Sequence, residues 1–207
     1  YLTGTLWHRG RNPAWSDMEY QMRNWLYFTW LSGDHNVEQH IHSLDKAMWL
    51  MGDKPPVSCF GLGGRQVRTG EEYGNIFDHH AVCYEWDNGV KCYAYTRQMK
   101  GCSGDVDDYV YGTKGKAIVL KNIVKSGDTT WRYKGDKPSM YDVEHQELFA
   151  GIRSGNIINN GTYMSTSTML AIMGRMACYT GQNVTWEAAM ESKEDLTPAK
   201  YAFGPVN

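Results

Sequence analysis

Apolar residues recur at three- and four-residue steps over Val37, Ile41, Leu44, Met48 and Met51. That is the spacing of a buried helical stripe, and it predicts a helix from about His35 to Met51. Ser32 or Asp34 can cap its start. Gly52 closes it, and Pro55-Pro56 prevents continuation. Ahead of this helix, residues 1–7 resemble a strand and 8–21 a polar loop. The aromatic stretch 22–33 is expected as a strand or a short irregular segment lining a cleft. Beyond it the period shortens to two. Strands are expected at 57–63, 78–86, 90–98, 106–112, 116–121 and 129–133, joined by turn signals such as Asp87-Asn88-Gly89 and Lys125–Asp128. Two further helices follow, one ending at Gly155 and one at Gly181. A helix, a run of strands and two helices make an α+β class: one broad, mostly antiparallel or mixed sheet with helices packed on one face. The other face of that sheet is expected to carry Val82, Tyr84, Trp86, Tyr93 and Tyr95.

Composition narrows the partners. The chain has 207 residues, which fits one large domain spanning 1–207. Its formal net charge of −2 offers no basic footprint for nucleic acid, and no apolar run reaches the length of a membrane span. It begins at Tyr1 without a methionine or a signal peptide, so sequence upstream is expected. Five scattered cysteines (59, 83, 92, 102 and 178) with no CxxC argue against a zinc knuckle or a disulfide framework. In a hairpin turning at Asn88-Gly89, Cys83 faces Ala94 and Cys92 lies diagonally from Cys83, too far for a bond. A turn at Asp87-Asn88 instead sets the two cysteines opposite each other.

The chemistry concentrates in residues 32–52, where a continuous helix sets His35, Glu38, His42 and Asp45 on one face and turns His40 elsewhere. Three readings compete. The first is a metal site using His35, Glu38 and His42, with Asp78, His79 and His80 as further ligands, although the spacing is not HExxH. The second takes His42 as a general base with Glu38 as its partner or as a substrate ligand. The third is a solvated helix face. Gln39 and His40 border the same segment. Arg23, Trp25 and Trp30 fit a carbohydrate pocket, in which aromatic faces stack on sugar rings and polar groups reach hydroxyls.

The pattern Gly33, Glu38, His42, Asp45, Trp49, Leu50, Gly52 resembles the Gfo/Idh/MocA family of oxidoreductases. Residues 88–119 are similar to that family's sheet, and residues 145–189 to its closing helices. The resemblance covers nearly the whole chain but only the C-terminal domain of the family. The N-terminal Rossmann domain and the E-K-P segment have no counterpart here. Gly61–Gly70 lacks the GxGxxG spacing and a following helix. The resemblance implies a nicotinamide cofactor (NAD or NADP), held mainly by the missing domain, and a sugar, glycoside or polyol substrate. It implies His42 as the catalytic histidine, and Glu38 where the family usually has aspartate. His40 stands where the family has glycine. Gln39, His40, Arg23, Trp25, Trp30, Asp78 and His79 are expected to face substrate, Asp45 to anchor the helix, and no metal to be bound. It also implies a homo-oligomer formed through the sheet face.

Overall fold

The computed structural model describes residues 1–204. Its contacts divide the chain, which its length suggested as one domain, into two compact units. One is Tyr1–Val106 with the chain from Ser165 onward; the other is Asp107–Met164. The strands expected between 57 and 133 accordingly lie in two sheets rather than one.

The first unit is built on β1 (Leu2–Thr3), β2 (Ser58–Gly64), β3 (His79–Glu85), β4 (Lys91–Gln98) and β9 (Val184–Thr185). Their order is β1-β4-β3-β2-β9, antiparallel except for β1, which runs parallel to β4. The helices are α1 (Asp17–Arg23), α2 (Thr29–Ser32), α3 (His35–Glu38), α4 (Ile41–Leu50), α6 (Gly161–Thr180) and α7 (Trp186–Met190). Leu44 and Met48 of α4 and Leu170, Ala171, Met173 and Ala177 of α6 close over Cys59, Val82, Tyr84 and Ala94 of the sheet. The apolar stripe predicted for residues 37–51 is therefore the core-facing stripe. Fully burying a side chain of Leu or Met size contributes about 1.5–3 kcal/mol.

Alternation along β3 and β4 sorts the sheet's two faces. Val82, Tyr84 and Ala94 point to the helices, and Trp86, just beyond β3, is buried with them. Tyr93 and Tyr95 point away and are exposed. The five bulky residues expected on one outer face are thus split between the two. The outer face carries Phe60, Leu62, Tyr93 and Tyr95 instead, because side chains directly opposite in a ladder share a face. The hairpin pairs Cys83 with Tyr93 and Tyr84 with Cys92, a register between the two considered. Three residues, Asp87 to Gly89, make the turn, with Gly89 at φ +79. Cys83 and Cys92 therefore point to opposite faces, and both are free thiols.

Two sequence expectations fail locally, and a third is decided between its alternatives. The strand over 1–7 shrinks to Leu2–Thr3. The aromatic stretch 22–33 is not a strand but the irregular alternative, broken into a 3-10 turn at Trp25–Tyr27 and the four-residue α2. Its β propensity is overridden because Leu26 and Tyr27 bury with Ile76 in a second small core. The helix over 35–51 is broken at Gln39-His40. There the His40 N–H reaches back five residues to the His35 carbonyl, and α4 starts afresh at Ile41.

The second unit is an antiparallel meander of β5 (Tyr109–Gly112), β6 (Gly115–Ile118), β7 (Ile123–Ser126) and β8 (Thr129–Arg132), followed by α5 (Met140–Ser154). Strand β7 was not expected, since its four residues end inside a turn signal. Helix α5 ends at Gly155, as expected. Among the described residues, no helix is long and apolar enough to cross a membrane.

Candidate active site

The break between α3 and α4 decides the site's geometry. On one continuous helix His35, Glu38 and His42 would share a face; here they do not. His35 is fully buried against β3, its Nδ1 3.1 Å from the Phe77 carbonyl oxygen. His42 is exposed near the start of α4. His40, expected to point elsewhere, is buried, with its Nδ1 3.0 Å from Asn36 Oδ1, and Asn36 Nδ2 donates to the Ala171 carbonyl. The Tyr1 ring lies 6.3 Å from His40 and 6.4 Å from His42, so it borders both. Burial pushes His40 well below the usual imidazole range and keeps it neutral.

Glu38 is half-buried between these groups. Burial raises its carboxyl to about 7, against the opposing pull of Gln98 and of the Arg68 charge. A carboxyl poised there can give or take a proton at neutral pH. Gln98 organises the floor: its Oε1 accepts from Arg68 at 2.5 Å and its Nε2 donates to Gln39 Oε1 at 2.6 Å. Arg68 is buried with its guanidinium 5.0 Å from the Tyr27 ring centre, and its Nε and Nη1 have no hydrogen-bond partner.

Asp78 delivers Arg68. Its Oδ2 accepts the backbone N–H groups of Gln66, Val67 and Arg68 at 2.7, 2.7 and 2.9 Å, and its Oδ1 lies 2.7 Å from His79 Nδ1. Burial alone would raise the Asp78 carboxyl. The N–H groups of Arg68 and Val67, the His79 ring and the Gln66 N–H outweigh it and hold the pKa below its ordinary value. Both Asp78 oxygens are thus engaged within the protein.

The sequence-predicted residues separate into two groups. Gln39, Glu38, His40 and His42 gather along α3–α4 beside Tyr1, Gln98 and Arg68. Arg23, Trp25 and Trp30 have other partners: Arg23 pairs with Glu19 and lies over the Trp15 ring, Trp25 packs on Trp7, and the Trp30 Nε1 donates to Gln21. No described contact joins these three to the His42 group. Asp45 accepts a hydrogen bond from Ser167 Oγ and ties α4 to α6, the anchoring expected of it. Arg68, Gln98 and Tyr1 were missed. They sit far from the helix in sequence, and no local pattern marks them.

A second polar group lies inside. Gly33, at φ +71, turns the chain where a Cβ would meet Val37 Cβ at 2.8 Å. Asp34 follows at φ +75, ψ 160, a region sparsely populated for any residue with a side chain. Its carboxylate accepts the His35 N–H at 2.5 Å, the Phe77 N–H at 2.9 Å and the Tyr179 hydroxyl at 2.5 Å. Burial alone would raise this carboxyl; the His80 and His35 imidazoles beside it hold it well below the carboxylate range. The metal trio considered from sequence, His35, Glu38 and His42, is not assembled. The described group with metal-ligand spacing is Asp34, His35 and His80.

No protein-family model matches the sequence, and no curated protein matches it. Solved structures do. Aldose–aldose oxidoreductase from Caulobacter crescentus superposes with a TM-score of 0.62 at 16% identity, over 88% of this chain and 53% of that one. The WlbA dehydrogenase from Bordetella pertussis, solved with NADH and UDP-GlcNAcA, gives 0.59 at 16%, over 89% and 54%. GenD2 from gentamicin A biosynthesis, solved with NAD, gives 0.57 at 14%, over 78% and 50%. The chain has the fold of Gfo/Idh/MocA-type oxidoreductases. It spans about half the length of the structures it matches.

Proposed function

We propose that the chain is the substrate-binding, proton-accepting part of a nicotinamide-dependent oxidoreductase acting on a hydroxyl of a sugar, glycoside or polyol. The reading is carried by one observation: within this fold, the α3–α4 segment presents an exposed His42 four positions after Glu38, a carboxyl raised by burial to about 7. His42 accepts the hydroxyl proton, and Glu38, on the preceding helix, is a second group able to hold one at neutral pH. Gln39 and His40 border the hydroxyl, while Arg68 and Gln98 hold Gln39 in place. Arg23, Trp25, Trp30 and His79 stay secondary candidates for substrate contact. When bound, the nicotinamide supplies the acceptor for the hydride.

The residues present fit the proton half of that chemistry and not the dinucleotide. Gly61 and Gly63 lie in β2, where a Cβ would meet the Ala81 and His79 carbonyl oxygens at 2.9 and 2.6 Å. These glycines serve close packing rather than a phosphate cradle. Holding the cofactor is therefore not the task of these glycines.

The outer face of the first sheet suits a second copy of the chain. Phe60, Leu62, Tyr93 and Tyr95 are 53, 67, 62 and 55% exposed side by side. An apolar patch of this kind marks an interface.

Steady-state kinetics on the full-length protein test the assignment of His42. A loss of turnover in His42→Ala with a smaller change in KM supports it, and unchanged turnover rejects it.

A further inference from the structure

The buried group of Asp34, His35 and His80 is not used by the proposed reaction, and its polar atoms are incompletely satisfied. His80 is fully buried; among the described residues its Nδ1 has no hydrogen-bond partner, and its Nε2 has only the Asp34 carboxylate, with Oδ2 at 3.4 Å. His35 Nε2 is likewise buried and unpartnered. Leaving a buried polar atom unpaired costs about 1–3 kcal/mol. Two unpartnered ring nitrogens, with a third held only by a long contact to a buried carboxylate, mark a place where something binds.

We propose that Asp34, His35 and His80 hold a divalent first-row transition-metal ion, zinc foremost, in a buried structural site at the start of the helices that carry Glu38 and His42. The candidate ligand atoms of the three residues all lie within 4.8 Å of one another. Asp34 Oδ2 and His80 Nε2 are 3.4 Å apart and not aligned as a hydrogen bond. With metal bonds of about 2.0–2.1 Å, the edge of a tetrahedron is about 3.4 Å. The surroundings are those of ligating side chains. The Phe77 carbonyl receives the His35 Nδ1 proton, which leaves the Nε2 lone pair free, and the Phe77 N–H and Tyr179 hydroxyl orient the Asp34 carboxylate. Two imidazoles and one carboxylate favour zinc or iron over magnesium or calcium.

Such an ion gives the unusual Asp34 backbone a purpose, since a conformation costing on the order of 1–3 kcal/mol is held where it serves a site. It ties the turn at Gly33–His35 to β3. The inference rests on this cluster alone and does not depend on the oxidoreductase reading.

The competing occupant is a buried water. The test uses the full-length protein expressed with zinc in the medium, without a histidine tag, and purified in metal-free buffer. Mass spectrometry of metals is expected to find one ion per chain. Dialysis against a chelator should remove it and lower Tm, and added zinc should restore both. Cobalt(II) added to the stripped protein should give the visible absorption of a low-coordinate histidine site, abolished by zinc. Asp34→Asn and His80→Ala should lose the ion, whereas Glu38→Gln and His42→Ala should keep it. If the first two variants fail to fold, the wild-type metal content and cobalt spectrum still decide. No metal above background, together with no Tm or spectral response to zinc, iron or cobalt, leaves water as the occupant and overturns the proposal. Full metal content in folded Asp34→Asn and His80→Ala overturns it equally.

Discussion

At the scale of single residues the proposed chemistry rests on two side chains four positions apart. His42 is exposed and outside the core, so His42→Ala should fold normally while cutting kcat about a hundredfold or more, the usual loss on removing a general base. KM should change less, because proton transfer matters mainly in the transition state. Thermal melts beside steady-state kinetics separate the two effects. Glu38 makes a different prediction. Its carboxyl is raised by burial to about 7 from an ordinary 4.5. Between those values the folded state keeps a proton that the unfolded chain has lost, so this residue's contribution to stability falls as pH rises from about 4.5 to 7. In Glu38→Gln that contribution is absent. Urea midpoints of wild type and variant should therefore draw apart steadily over this window, with the variant gaining on the wild type, and run parallel above it. Parallel curves throughout would mean that Glu38 titrates as an ordinary surface carboxyl. Both residues were singled out in the sequence as candidates, because the family motif and residue chemistry agree on them. Gln98 and Arg68, which set Gln39 and the charge around Glu38, were not, because they arrive from β4 and from the loop after β2.

At the scale of elements the decisive feature is the interrupted helix. The apolar stripe from Val37 to Met51 identified its core face, but periodicity cannot show a slip of one residue in the hydrogen-bond ladder. That slip turns His35 and His40 inward and leaves His42 out. Gly33 permits the turn that starts it. Gly33→Ala adds a methyl group that meets Val37 in a backbone conformation strained for any side chain. It should cost about 1–3 kcal/mol in urea unfolding. It should also lower turnover, because α3 would shift relative to β3. A wild-type stability in Gly33→Ala would show that the turn relaxes freely. The hairpin of β3 and β4 teaches the same lesson more mildly. Its turn residues were evident, yet three residues form the loop rather than two, and that difference decides which face each cysteine takes.

At the scale of the whole molecule two predictions concern what the chain needs from elsewhere. With no cradle for a dinucleotide in Gly61–Gly70, titrating NADH or NADPH into the 207-residue chain should give no saturable signal; low-micromolar binding would sink the division of labour proposed above. The outer sheet face should pair two copies. Analytical ultracentrifugation at tens of micromolar should find a dimer, and Leu62→Glu with Tyr93→Lys should shift it toward monomer while leaving the fold intact. A monomeric wild type would argue that another partner covers Phe60, Leu62, Tyr93 and Tyr95. The α+β class and the order of most elements were decided by the sequence itself, and the choice of His42 and Glu38 as candidates also comes from it, since each rests on local periodicity, on turn residues or on a motif contiguous in the chain. The division into two sheets, the faces on which the aromatics fall, and the meeting of Asp34 and His35 with His80 were decided only by tertiary structure. The sheet division and the meeting of Asp34 and His35 with His80 depend on residues some forty or more positions apart being brought together by packing and burial, and the faces of the aromatics depend on a one-residue choice of hairpin register that the neighbouring residues do not encode.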